Sequence, residues 1–139
     1  MNIAITASDT FVAPFILEML GKAAVVIPDE VIKDQLKLDA MLTPCNALIH
    51  INSRPVESSF ERDDRQTKLE MMNAARPIFD AVDRHGSLHL IIIGTLRVHP
   101  QWEPGEPFYG LDSTLAPRDT AAEGQLWMEE NALDRANSE

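Results

Sequence analysis

Three residues near the start of this chain, Ala7, Thr10 and Ala13, decide what its opening segment could do. They follow a strand-like pattern, Met1–Thr6, and lead into a helical one. In that helix Phe11, Val12, Phe15, Ile16, Met19 and Leu20 fall on one face. A strand–turn–helix of this form cradles a dinucleotide when glycines stand at those places, spaced G-x-x-G-x-x-G. One glycine makes the tight turn, one lets backbone approach the pyrophosphate, and one packs helix against strand. Here none of the three is glycine. Ala13 adds only a methyl at a helix–strand contact. Ala7 is strained wherever the turn needs a positive φ. Thr10 sets a β-branched side chain where backbone should meet phosphate, and Asp9 adds a carboxylate beside it. Two like charges about 4 Å apart repel by roughly 4 kcal/mol at an intermediate dielectric. The helix N-terminus offsets less than about 1 kcal/mol of that. Asp29 stands about 20 residues further on, where an acid could bind an adenosine ribose. It also reads as part of a Pro-Asp-Glu turn, the preferred reading. No cofactor is expected; NAD(P) is the one the pattern would take.

Other constellations are weaker. His50, His85, His89 and His99 lie on different elements, and none pairs with a Cys, His or acid at metal-ligand spacing on one helix face. No metal is expected, and His50 and His89 read as core or edge residues of strands. Cys45, the only cysteine, has nothing beside it to activate a thiolate and cannot form an internal disulfide. There is no nucleophile elbow, P-loop or H-E-x-x-H. Glu61, Asp63 and Asp64 are explained by a helix start.

The elements that must position these residues alternate. Strand patterns occupy Asn2–Thr6, Ala23–Ile27, Ala47–Ile51 and Leu88–Gly94, with a very short one possible at Val31–Lys33 before a helical turn at Leu38–Leu42. Helices are predicted over about Thr10–Leu20, capped by Asp9 or Thr10 and stopped at Gly21, over Asp64–Arg84 with a kink at Pro77, and over Arg118–Ala136. Ahead of that last helix, Val98–Pro117 holds four of the nine prolines and two glycines, a long loop. Near-continuous apolar strands between helices predict a parallel sheet covered on both faces. The expected fold is α/β: a three-layer, Rossmann-like, doubly wound sheet of about five strands, one domain over residues 1–139.

Composition limits the partners. Twelve basic residues against 22 acidic ones give a net charge of −10. That disfavours nucleic acid and anionic membranes, which both require clustered Lys and Arg. No run approaches a membrane span and no signal peptide is evident, so a cytoplasmic protein is expected.

In this order the segments resemble an extended short-chain dehydrogenase/reductase of the NAD-dependent sugar epimerase/dehydratase type. MNIAIT with Phe11-Val12 is similar to that family's first strand and glycine loop. NALIHI (46–51) is similar to the strand where a histidine often lies, matched by His50. NAARPIFDAVDRHG (73–86) resembles the helix before the fifth strand, and IIIGTLRVH (91–99) the strand ending in a catalytic Ser or Thr. The loop GEPFYGLDSTLAP (105–117) and the helix opening EGQLWMEE resemble the stretch that carries a Tyr-x-x-x-Lys pair. The resemblance places Thr95 at the Ser/Thr position. The Tyr and Lys positions fall on Thr120 and Gly124, or on Ala121 and Gln125 in a register shifted by one. Neither supplies a phenol or an ammonium; Tyr109, the only tyrosine, precedes that helix, and no lysine follows Lys68. The family's chemistry needs a phenol whose pKa is lowered by a nearby ammonium, so no catalytic residue is expected beyond a vestigial Thr95. By resemblance the chain is also shortened after the second strand and truncated after the last helix, without the family's substrate region.

The resemblance further implies that helices near 64–84 and 118–136 pack against a second subunit. The expectation is a non-catalytic protein acting as a homodimer, or in assembly with an intact enzyme. The alternatives are an NAD(P)-dependent oxidoreductase or nucleotide-sugar epimerase/dehydratase with atypical cofactor binding, and a sensor of a small ligand.

Overall fold

A computed structural model describes the chain apart from residues 7–9, 52–63, 95–97, 101–102, 107–111, 118 and 138–139. Its described strands are β1 (Ile3–Ile5), β2 (Ala24–Val26), β3 (Ala47–Ile51) and β4 (His89–Ile93). They form one sheet in the order β2-β1-β3-β4, parallel throughout. The helices are α1 (Ala13–Leu20), α2 (Asp29–Ile32), α3 (Gln35–Leu42), α4 (Asp64–His85) and α5 (Thr120–Asn137). The contacts group into two compact units: Met1–Val56 with Asn73–Ile93, and Glu57–Met72 with Gly94–Glu139. Residues of α4 belong to both.

The sheet lies in the first unit, and its strands bury alternate residues on opposite faces, as period-two side chains must. Ala4, Leu48 and Leu90 face a cluster with Ile27, Leu38, Leu42, Ile78 and Ala81, so α2, α3 and the second half of α4 cover that face. Ile5, Ile49, Ile51 and Ile93 face Ala13, Val12, Ile16, Leu17 and Leu20, so α1 covers the other. Register carries the same phase across: Ile5 stands beside Val26 and Ile49, and Ile49 beside Ile91. The doubly wound parallel sheet expected from the sequence is present.

Several boundaries differ from expectation. Val31–Lys33 is not a strand; Val31 and Ile32 lie in α2, so four strands are described rather than five. Pro28, extended at φ −68° and ψ 149°, suits the position before a helix, and Asp29 and Glu30 fill its first turn, where the dipole favours acids. These local signals outweigh the β preference of two branched residues. α3 is longer than the predicted turn because Asp34 caps it, accepting the Lys37 backbone N–H at 3.2 Å. α1 starts at Ala13, later than Thr10, with Val12 at its N-cap and no side-chain cap bond; the Thr10 carbonyl accepts the Ala13 N–H at 3.2 Å. Gly21 does stop α1, at φ 54°. Pro77 lies within α4 and the helix continues through it to His85.

Candidate functional site

Chain direction places β1 between β2 and β3, so the strand order reverses between β1 and β3. In open α/β sheets, ligands bind outside the carboxyl ends of strands at such a switch point. Thr6 and His50 stand there, 1% and 5% exposed. The Thr6 hydroxyl oxygen accepts the Ile51 N–H at 3.2 Å and lies 2.8 Å from His50 Nδ1. With its oxygen already accepting, the hydroxyl donates its proton to Nδ1, and these partners assign the ring proton to Nε2. Burial holds the imidazole neutral, its pKa pushed down to about 4. Thr6 thus extends the ladder past the end of β1, where its backbone N–H also reaches the Ile49 carbonyl at 3.0 Å.

The glycine-loop positions separate here. Ala13 is fully buried among Ile5, Ile49 and Ile51, so the third position acts as a helix–strand contact that accepts a methyl. Thr10 is half-buried, and Ala7 lies outside the described residues, as do Ser8 and Asp9. Asp29 is the exposed first residue of α2. Among the described residues no fully buried side-chain nitrogen or oxygen lacks a partner. The described part of this loop, Thr10 to Ala13, contains no glycine.

The second locus belongs to the other unit. Thr95 and Tyr109 lie outside the described residues, but Gly94 beside Thr95 is described. A Cβ on Gly94 would stand 2.8 Å from Glu129 Oε1 and 3.9 Å from Gln125 Nε2. The buried Gln125 amide donates to that same Glu129 oxygen at 2.9 Å. So the side chains against Gly94 are an amide and a carboxylate one helical turn apart. Gly124 instead packs on α4, where a Cβ would meet Met71 Sδ at 2.9 Å and its Cβ at 3.3 Å. Thr120 opens α5, with Asp119 just before it accepting the Ala122 N–H at 2.8 Å, and Ala121 is half-buried. Lys68, the last lysine, pairs with Glu123 at 3.1 Å.

Of the remaining candidates, Cys45 is half-buried, its thiol pushed up by burial, and it donates to the Met41 carbonyl. His89 is exposed at the start of β4. His85 lies 3.4 Å from Asp39, whose carboxylate Arg84 holds through both Nε and Nη2. That guanidinium keeps the Asp39 carboxyl below its usual range. No group of three potential metal ligands occurs among the described residues. No helix among them is long and apolar enough to cross a membrane.

Sequence reasoning missed both polar pairs. Thr6 and His50 are 44 residues apart, and only their positions at strand ends signal a meeting. Gln125 and Glu129 carry a clearer signal, the i, i+4 spacing.

No family model and no curated protein sequence matches the chain. Solved structures do match. UDP-glucose 4-epimerase from Thermus thermophilus, in complex with NAD, superposes with a TM-score of 0.82 at 15% identity, over 99% of this chain and 51% of that one. The Brucella ovis UDP-glucose 4-epimerase, in complex with NAD, gives 0.77 at 19% identity over 97% and 47%. The dTDP-glucose 4,6-dehydratase of Bacillus anthracis, in complex with NAD, gives 0.75 at 11% over 99% and 51%. This chain has their fold. It spans about half the length of each of these epimerases and dehydratases.

Proposed function

We propose that this chain is a non-catalytic relative of the sugar epimerase/dehydratase group that acts by association, as a homodimer or with an intact enzyme of that type. The observation that carries this reading is the Gln125–Glu129 pair against Gly94. It supports the register that places Ala121 and Gln125 where the family has Tyr and Lys. An amide bonded to a carboxylate can neither donate a proton as a phenol does nor lower a phenol's pKa as an ammonium does. Ala13, Thr10 and the mutually bonded Thr6 and His50 support the same reading at the switch point.

The association surface in this proposal lies on α4 and α5. Leu69 and Leu133 are about half exposed or more, while Met71 and Met128 are already buried. Light scattering on a sizing column tests it. The wild type elutes at a multiple of the chain mass, and Leu133→Glu lowers that mass. A wild type that stays monomeric up to about 100 μM, a concentration that reports an association free energy of roughly −5.5 kcal/mol, contradicts it.

The enzymatic reading is favoured by one observation, that structures of this fold are found with NAD bound. In that reading a partner supplies the missing acid/base groups.

A further inference from the structure

The exposed side of α1 carries one charge, Glu18, among apolar residues. Val12, Ala13, Ile16, Leu17 and Leu20 pack on the sheet, yet outside them lie Phe11 (85% exposed), Phe15 (60%) and Met19 (88%). Phe15 and Met19 lie one turn apart on α1, and Phe11 lies in the turn just before it. The Phe11 and Phe15 rings already meet edge to face, centroids 5.8 Å apart. On the same sheet face, Val26 and Ile91 are also open.

We infer that this stripe is an interface between two copies of the chain, distinct from the α4 and α5 surfaces. Three observations favour a second copy as the occupant. First, the stripe is self-complementary. In an antiparallel pair related by a twofold at Phe15, Phe11 of each copy lies level with Met19 of the other, and methionine sulfur packs well on aromatic edges. Second, the charges match. The N-terminal turn of α1 has no side-chain cap and no acid. The twofold brings Glu18, three residues after Phe15, level with Val12 of the other copy, three before it. A carboxylate there faces the positive end of the dipole, at a first turn that carries no acid of its own. Third, the area fits a weak dimer. The three side chains offer about 450 Å² per copy, less than the ~800 Å² per partner of a standard stable interface. The net charge of −10 opposes self-association, but Glu18 is the only charge within α1. Repulsion from the rest is screened beyond about 8 Å at physiological ionic strength, so added salt strengthens this contact.

The inference deepens the association reading above on a separate surface, and sedimentation velocity distinguishes the two. Two isologous interfaces on one chain build tetramers or larger assemblies. The wild type is expected to grow past a dimer with concentration, and more so when NaCl rises from about 0.05 to about 0.5 M. Phe15→Glu is expected to stop at a dimer and Leu133→Glu to retain a weak, salt-strengthened dimer. The double variant is expected to be monomeric. Circular dichroism confirms that the variants fold. Because position 15 lies on the twofold, Phe15→Cys in a Cys45→Ser background cross-links to itself under mild oxidation, at least about tenfold faster than Leu36→Cys, an exposed control. If Phe15→Glu sediments like the wild type, or the two cysteine variants cross-link equally, the α1 interface is wrong, whatever Leu133→Glu does. A wild type that is unaffected by Phe15→Glu but made monomeric by Leu133→Glu leaves only the α4/α5 surface.

Discussion

The interior of the sheet and the positions where this fold hosts chemistry have been treated differently in this chain. Inside, Ala4 and Leu48 face one apolar layer and Ile5, Ile49 and Ile51 the other, and the helices meet them with Leu38, Leu42, Ile78 and Ala81 on one side and Ala13, Ile16 and Leu17 on the other. At the switch point and against Gly94, polar groups bond to one another: Thr6 with His50, Gln125 with Glu129. The layers need only apolar residues of about the right volume, which many sequences supply. A reaction centre needs particular atoms at particular places, and a few substitutions remove it.

Variants can break or sharpen this contrast. The largest effect belongs to the interior. Leu48→Ala, which removes a fully buried side chain from the centre of the sheet, is expected to cost about 3.5 kcal/mol, read as a lowered urea midpoint with an unchanged slope. Next is acid. His50 has a folded pKa pushed down to about 4 from an ordinary 6.5, so between those values the unfolded chain takes up a proton that the folded one refuses. Its contribution is present above pH 6.5 and is lost as pH falls toward 4, up to about 3 kcal/mol. His50→Gln keeps an acceptor for Thr6 but does not titrate, so unfolding curves across this range should flatten.

Thr6→Val removes the acceptor for the Ile51 N–H and the donor to His50 together. It is expected to cost about 2 kcal/mol, with faster amide exchange at Ile51. The smallest effect is at Gly124→Ala. Crowding against Met71 is partly offset by a better helix former, leaving about 1 kcal/mol of destabilisation in a thermal melt.

Much of the interior was legible in the sequence because burial leaves a periodic signature. The apolar runs at Asn2–Thr6, Ala47–Ile51 and Leu88–Gly94 predicted β1, β3 and β4, and Gly21 marked the end of α1 with the positive φ that glycine tolerates. The short strand left open at Val31–Lys33 rested on side-chain preference, which capping outweighs. Pro28, Asp29, Glu30 and Asp34 describe helix starts, and the chain follows them. The candidate site was less legible. A missing glycine, tyrosine or lysine can be read from spacing alone. What occupies its place depends on contacts between distant residues: Gly124 looked like a lost lysine or nothing, and it is the residue that lets α5 approach Met71.

Calorimetric titration of the folded chain with NAD+, NADH and NADPH tests the central claim most directly. The account predicts no saturable heat at cofactor concentrations near 1 mM, an affinity weaker than about −4 kcal/mol. A one-to-one isotherm in the micromolar range, abolished by a bulky substitution at Ala13, would contradict it and return the chain to the cofactor-binding members of its fold.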